Sequence, residues 1–112
     1  MAIANTIVNS GDNTLLAVPV GKRYAITTIL VCNTVTPNPL HEEDGVTVFD
    51  LHLVPSGQAI GDQNMVVRSL ALPAGETFTF DSEKIVLEEG DYVNIAGESP
   101  AVLSATISYL EV

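Results

Sequence analysis

The stretch of the chain whose side chains are best suited to bind a ligand or to react is the run His41-Glu42-Glu43-Asp44-Gly45. Three carboxylates beside an imidazole suit a divalent cation, because hard cations such as Ca²⁺ take several oxygen ligands. Consecutive residues converge on one ion only in a loop shaped for it, and the spaced ligands of a calcium-binding loop are missing from the sequence. The run is therefore either a weak Ca²⁺ site at Glu42, Glu43 and Asp44 or a solvated acidic loop, and we favour the loop.

A second candidate pair is Asp50 and His52, two positions apart on one face of a predicted strand. This spacing is compatible with an acid–base pair, or with the metal site of a small cupin-like enzyme that also uses His41. Such a site needs a second close histidine, and the chain has no His-x-His. The alternative is a polar outer face or a pair at a subunit contact, and this is the interpretation we favour.

The sequence also lacks four signatures of catalysis or cofactor binding. It has no Gly-x-Ser-x-Gly elbow, no phosphate loop ending in Gly-Lys-Ser/Thr, no Cys-x-x-Cys and no His-Glu-x-x-His. The single cysteine, Cys32, excludes an intramolecular disulfide and is predicted to be a small buried apolar residue. We therefore predict a protein that is not an enzyme and that holds no cofactor.

The elements that would position these residues are predicted to be strands. The 112 residues include 14 valines, 8 isoleucines and 10 threonines, β-branched types that fit a pleated sheet better than a helix. Clusters of Gly, Pro, Asn and Asp separate the apolar runs, none of which has a sustained helical period. The predicted strands are Ile3–Asn9, Thr14–Val18, Tyr24–Asn33, Val46–Val54, Met65–Leu72, Thr77–Asp81, Ile85–Leu87, Tyr92–Ala96 and Ala101–Glu111.

Eight or nine short strands predict one all-β domain over residues 1–112, a single antiparallel β-sandwich with a jelly-roll-like layout. The two longer connections, Thr34–Gly45 and Pro55–Asn64, are predicted to be loops at one end of the sandwich. Loops of this length in a compact domain are often functional, or else mobile.

Two predicted strands are apolar on both faces, which predicts self-association. In Tyr24–Asn33 and in the C-terminal strand, one apolar face packs in the core, and the second must be buried against something else. The simplest candidate is a neighbouring subunit. The alternative is a strand buried at a corner between the sheets. The residues predicted to meet the neighbouring subunit are Ala25, Ile29, Val31, Val102, Leu110 and Val112.

The charge balance limits the possible partners. Four Lys and Arg against 14 Asp and Glu give a net charge of −10, which repels nucleic acid and anionic membrane surfaces alike. The N-terminal stretch is interrupted by polar residues and lacks a basic n-region, and no apolar run approaches the ~20 residues that span a bilayer. We expect no nucleic-acid or membrane partner, and folding in a cytoplasm.

The second half of the chain resembles small virion proteins of tailed bacteriophages. The pattern is a strand, the turn Pro73-Ala74-Gly75, a strand, the segment from Ile85 to the Gly90-Asp91 turn, and the final strand Ile107-Ser108-Tyr109-Leu110-Glu111. The first half, with ITTILVCNT, a long loop and VFDLHLVP, is similar in layout.

This family includes capsid decoration (cement) proteins, neck and tail accessory proteins and parts of fibres. The resemblance implies a non-enzymatic structural protein of the virion, assembled in the host cytoplasm. It implies a homo-oligomer, with a trimer favoured, that binds a major capsid or tail protein. It brings no catalytic residues. A receptor- or glycan-binding module that uses the two long loops is the main alternative.

Overall fold

The computed structural model describes residues 2–98 and 102–112, including the side chains of all of these except 82–84. Within them the protein is all-β, as predicted, and Ala101, where the last predicted strand begins, lies outside the described residues. The segments predicted as strands 77–81 and 85–87 form one long strand. The eight strands are β1 (Ala2–Val8), β2 (Gly11–Ala17), β3 (Tyr24–Asn33), β4 (Thr47–Val54), β5 (Met65–Leu72), β6 (Thr77–Leu87), β7 (Tyr92–Gly97) and β8 (Leu103–Glu111), with a 3₁₀ turn at Asp62–Asn64.

The strands form two four-stranded antiparallel sheets. Sheet A has the order β1-β8-β3-β6 and sheet B the order β2-β7-β4-β5. The first strand pairs with the eighth, the second with the seventh, the third with the sixth and the fourth with the fifth. The chain is thus one long hairpin rolled into two layers, which is the jelly-roll arrangement that the sequence predicts.

The core lies between the inner faces of the two sheets. Ile29 and Ile107 of sheet A, and Leu51 and Ile95 of sheet B, are fully buried. The rings of Phe49 and the half-buried Phe78 meet edge to face across the layers, with centroids 5.6 Å apart. Burying an aliphatic or aromatic side chain of this size stabilises a fold by roughly 1.5–3 kcal/mol, so this layer supplies the main driving force for folding.

A β-bulge at Thr27 reverses the alternation of side chains along β3. Ile26 lies opposite Tyr109 of β8, but the next aligned pair is Thr28 with Ser108, so Thr27 is an extra residue. The Thr27 hydroxyl donates to the Ser108 carbonyl at 3.1 Å and contacts the Ser108 hydroxyl. As a result Ile26 before the bulge, and Ile29 and Val31 after it, all face the core.

This bulge makes part of the predicted self-association surface wrong. Ile29 and Val31, predicted on an outward face of β3, are fully buried in the core. The outward residues of the strand after the bulge are Thr28, Leu30 and Cys32. Cys32, predicted to be buried, is half-buried on this outer face.

The two long loops lie at opposite ends of the sandwich, so the prediction that they share one end is wrong. Strand β4 begins where the loop after β3 ends, and the next loop begins where β4 ends. Eight extended residues separate the loops by roughly 26 Å. The second loop instead meets the turn between β6 and β7, where the Asp91 carboxylate accepts from the Ser56 amide at 2.8 Å.

Candidate functional site

The most distinctive surface is the outer face of three adjacent strands in sheet A, which we call the neutral face. It consists of the outward side chains of β1, β8 and β3. All of these side chains are uncharged, and each is half-buried or exposed: Ile3, Asn5, Ile7, Ser104, Thr106, Ser108, Leu110, Ala25, Thr28, Leu30 and Cys32.

The neutral face is unusual because the chain carries a net charge of −10. Its three strands include one charged residue, Glu111, at the last position of β8. The Glu111 carboxylate accepts a hydrogen bond from Lys22 at 2.8 Å, and this bond raises the pKa of the Lys22 amine above its ordinary value. The other carboxylates lie in loops and turns, at the strand ends, on sheet B or on the edge strand β6.

Apolar side chains are exposed at two borders of the neutral face. On β1, Ile3 and Ile7 are 68% and 52% exposed. At the far end of the sheet, Leu110, Ala25 and Val86 form a cross-strand row, with Val86 on β6. Leu30 is exposed in the middle of the face.

The four other residues predicted to self-associate lie on or beside this surface. Ala25 and Leu110 are a directly paired row of the neutral face. Val112 is 63% exposed just beyond β8. Val102 is half-buried just before β8, where its carbonyl accepts hydrogen bonds from the amide and the hydroxyl of Thr34, both at 2.8 Å.

The acidic loop does not form a cation site in this structure. The His41 amide bonds the Asn38 carbonyl, and the Asp44 amide bonds the His41 carbonyl, each at 3.1 Å, so the run folds as two successive turns. Among the side chains that the structure describes, no group of three or more His, Cys, Asp and Glu residues could hold a metal ion. The structure therefore does not bring Glu42, Glu43 and Asp44 together around a common centre.

Asp50 lies on the outer face of sheet B, as predicted, and it stabilises a second bulge. Between Val67 and Leu70 of β5 the register shifts, and Ser69 takes a left-handed φ of 46°. The Asp50 carboxylate accepts a hydrogen bond from the Ser69 amide at 2.6 Å. The observed role of this carboxylate is to hold the backbone of the neighbouring strand.

His52 is only 4% exposed, although it points away from the core on the same face as Asp50. It lies opposite Asn94 of β7, which is also buried and whose amide donates to the Asp12 carboxylate at 3.3 Å. The 3₁₀ turn Asp62–Asn64 lies against β4. The Nδ1 atom of His52 has no hydrogen-bond partner among the described residues.

Asn33 is a buried residue whose role the sequence analysis missed. Its amide nitrogen donates to the carbonyls of Gly45 at 2.7 Å and Leu72 at 2.9 Å, and its oxygen accepts from the Val35 amide at 3.0 Å. Together these bonds join both ends of the loop after β3 to the end of β5. An asparagine ending an apolar strand is the available signal, but its partners lie 12 and 39 positions away.

The loop fixed by Asn33 forms one wall of a groove of about 630 Å³. The opposite wall is the turn between β5 and β6, where an added Cβ at Gly75 would lie 2.5 Å from the Pro37 ring. The groove is lined by Pro37, Asn38, Pro39, Glu42, Pro73, Ala74 and Glu76. A sugar-binding site typically offers an aromatic platform, which this lining does not supply.

Comparisons of the chain with protein-family models, with curated proteins and with solved structures gave no match. No helix among the described residues is long and apolar enough to cross a membrane.

Proposed function

We propose that the protein is a non-enzymatic structural subunit of a bacteriophage virion that self-associates and binds a neighbouring virion protein. The observation that carries the self-association is the neutral face, a three-strand surface almost free of charge in a chain of net charge −10. The virion assignment rests on the resemblance of the turn and strand pattern to small phage proteins.

Electrostatics favour a second copy as the occupant of the neutral face. Two copies of an acidic protein repel each other wherever carboxylates meet, but the neutral face brings few like charges into contact, because its nearest carboxylates are Glu111 at the end of β8 and Asp81 at the β6 border. Charges on the outer surface of sheet B lie more than ~10 Å behind it, the usual spacing of packed sheets. This distance exceeds the Debye length of ~8 Å at physiological ionic strength.

A structural role is also supported by what the reactive side chains do. Asp50 accepts a backbone hydrogen bond, and His52 is covered by protein. The acidic loop folds as turns in which backbone amides and carbonyls bond each other. Asp50 and His52 are therefore part of the folded framework, and the acidic loop is held in place through its backbone.

The resemblance gives the proposal its biological setting. It favours a capsid decoration protein or a neck or tail accessory protein, assembled as a trimer in the host cytoplasm and bound to the major capsid or a tail protein. The jelly-roll layout matches the sandwich packing expected from that resemblance. A cryo-electron microscopy map of a phage particle that contains the chain tests this setting, because the proposal requires density for the protein on the particle surface, neck or tail.

Self-association is tested by measuring the oligomer mass of the wild type and of two matched variants. We expect an oligomer in native mass spectrometry, with the trimer as the expected species, and its loss in Leu30→Asp, which places a charge in the neutral face. Val66→Asp is the control, since Val66 is similarly exposed, at 43% against 38% for Leu30, but lies in sheet B. A wild type that stays monomeric at micromolar concentration contradicts the proposal, as does equal dissociation in both variants; circular dichroism checks that both fold.

A further inference from the structure

The four edge strands of the sandwich differ in how well they are protected against pairing with another strand. An edge strand presents a row of unpaired backbone N–H and C=O groups, and natural proteins block such rows with bulges, charges or proline. Strands β2 and β5 border sheet B, and β1 and β6 border sheet A.

Three of these edges carry blocking features. The register of β2 shifts between Thr14 and Leu16, and the strand includes Asp12. In β5, Arg68 adjoins the bulge at Ser69. In β6 the register shifts between Asp81 and Ile85, where three residues of β6 face the single residue Thr27 of β3.

The fourth edge, β1, has the features of a strand ready to pair. It aligns with β8 in unbroken register from Ala2 to Val8. Its sequence, AIANTIV, contains neither a charged residue nor a proline. Its two outward isoleucines, Ile3 and Ile7, are more than half exposed.

We propose that β1 pairs antiparallel with β1 of a second copy, across a two-fold axis at Asn5. This inference rests on the self-association proposed above and specifies one of its contacts. It joins two sheets A into one eight-stranded sheet whose two neutral faces lie on the same side. The backbone groups left open on one copy are satisfied by the same groups of the other.

The sequence of β1 is complementary to itself in this orientation. With Asn5 opposite Asn5 of the second copy, Ile3 lies opposite Ile7, and both isoleucine pairs fall on the outer face. Apolar and β-branched pairs directly opposite each other stabilise antiparallel strands. The facing asparagine amides can hydrogen-bond, and the pairing brings no like charges together.

A two-fold contact has a consequence for the number of copies. The β1 contact is separate from the contact at the neutral face, so it joins two of the proposed trimers, and the complete assembly then contains six chains.

The pairing is tested by cysteine crosslinking in a Cys32→Ala background, which removes the single native thiol. Directly opposite residues of an antiparallel pair lie 4.5–5.5 Å apart between Cα atoms, within the range that a disulfide bridges. Asn5→Cys, at an exposed position, is therefore expected to give a covalent dimer under mild oxidation. Ile3→Cys alone is expected to give little, since its copies are about 14 Å apart along the strand, whereas a mixture of Ile3→Cys and Ile7→Cys chains is expected to crosslink.

The outcomes separate this inference from the proposed function. A wild-type oligomer in which Asn5→Cys crosslinks no faster than Thr79→Cys, an exposed position on the opposite edge of sheet A, overturns the β1 pairing and leaves self-association standing. Equal crosslinking of Ile3→Cys alone and of the mixture overturns the register. A strictly monomeric wild type overturns both proposals.

Discussion

At the scale of single residues, the buried amide of Asn33 and the half-buried carboxylate of Asp50 bond to backbone groups of neighbouring strands. Asn33 is fully buried and joins β3, the loop after it and the end of β5 through one side chain. Asp50 does similar work on the other sheet, where Ser69 adopts a conformation that is costly for a residue other than glycine. Both residues are structural, although their types are common in binding sites.

Asn33→Asp is expected to destabilise the fold by about 2–4 kcal/mol, because it removes the two donated hydrogen bonds and turns a carboxylate oxygen toward the carbonyls of Gly45 and Leu72. Urea unfolding followed by circular dichroism measures the loss. Asn38→Asp is the control, since the Asn38 side-chain oxygen accepts from the Leu40 amide and an aspartate keeps that acceptor. An equal effect of the two changes would contradict the role given to Asn33.

At the scale of elements, the bounds of some strands could be predicted from the sequence, but two predicted strands form one, and strand faces could not be predicted throughout. Tyr24–Asn33 and Met65–Leu72 begin and end where predicted, because turn-forming residues flank them. The bulge at Thr27 has no local signal, since threonine is an ordinary strand residue and its partner, Ser108, lies 81 positions away. One unseen extra residue moved Ile29 and Val31 from the predicted surface to the core.

The neutral face, too, could be predicted from the sequence only in part. That β1, β3 and β8 carry almost no charge can be read directly from the sequence once the strands are placed. That these three strands are neighbours depends on the roll of the chain, which brings β8 between β1 and β3. The sequence therefore predicts that these strands are nearly uncharged, but the fact that they lie side by side follows only from the sheet topology.

Thr27→Val tests how much the bulge depends on the hydroxyl, because valine keeps the branched shape and loses the hydrogen bond to Ser108. We expect a loss of about 1 kcal/mol in the free energy of unfolding, the usual net value of such a bond. Thr27→Ser keeps the hydroxyl and should lose less. If Thr27→Val unfolds at the same urea concentration as the wild type, the bulge is held by packing alone.

At the scale of the whole molecule, the charges are concentrated away from one broad side. The described residues extend over 51 × 28 × 19 Å, and the uncharged outward side chains of β1, β8 and β3 occupy one broad side of this body. The carboxylates of the loops and of sheet B lie elsewhere on the surface, so they do not repel a neighbour that packs on this side. This arrangement suits the proposed self-association through the neutral face.

The same separation predicts that added salt strengthens self-association. Two copies with a net charge of −10 each repel at long range, and the Debye length falls from roughly 30 Å at 0.01 M salt to roughly 3 Å at 1 M. Because the proposed contact contains few charges, screening removes repulsion without weakening attraction. Between 20 and 500 mM NaCl the dissociation constant should therefore fall by about tenfold, equivalent to about 1.4 kcal/mol, in sedimentation equilibrium.

A variant with fewer charges separates this effect from general salting-out. Glu42→Gln with Glu43→Gln lowers the net charge from −10 to −8 at an exposed loop outside the neutral face. It should associate more tightly than the wild type at 20 mM NaCl and equally at 500 mM, because the remaining repulsion is screened in both. A dissociation constant that rises with salt would mean that ion pairs hold the copies together, and the neutral face would then not be the contact.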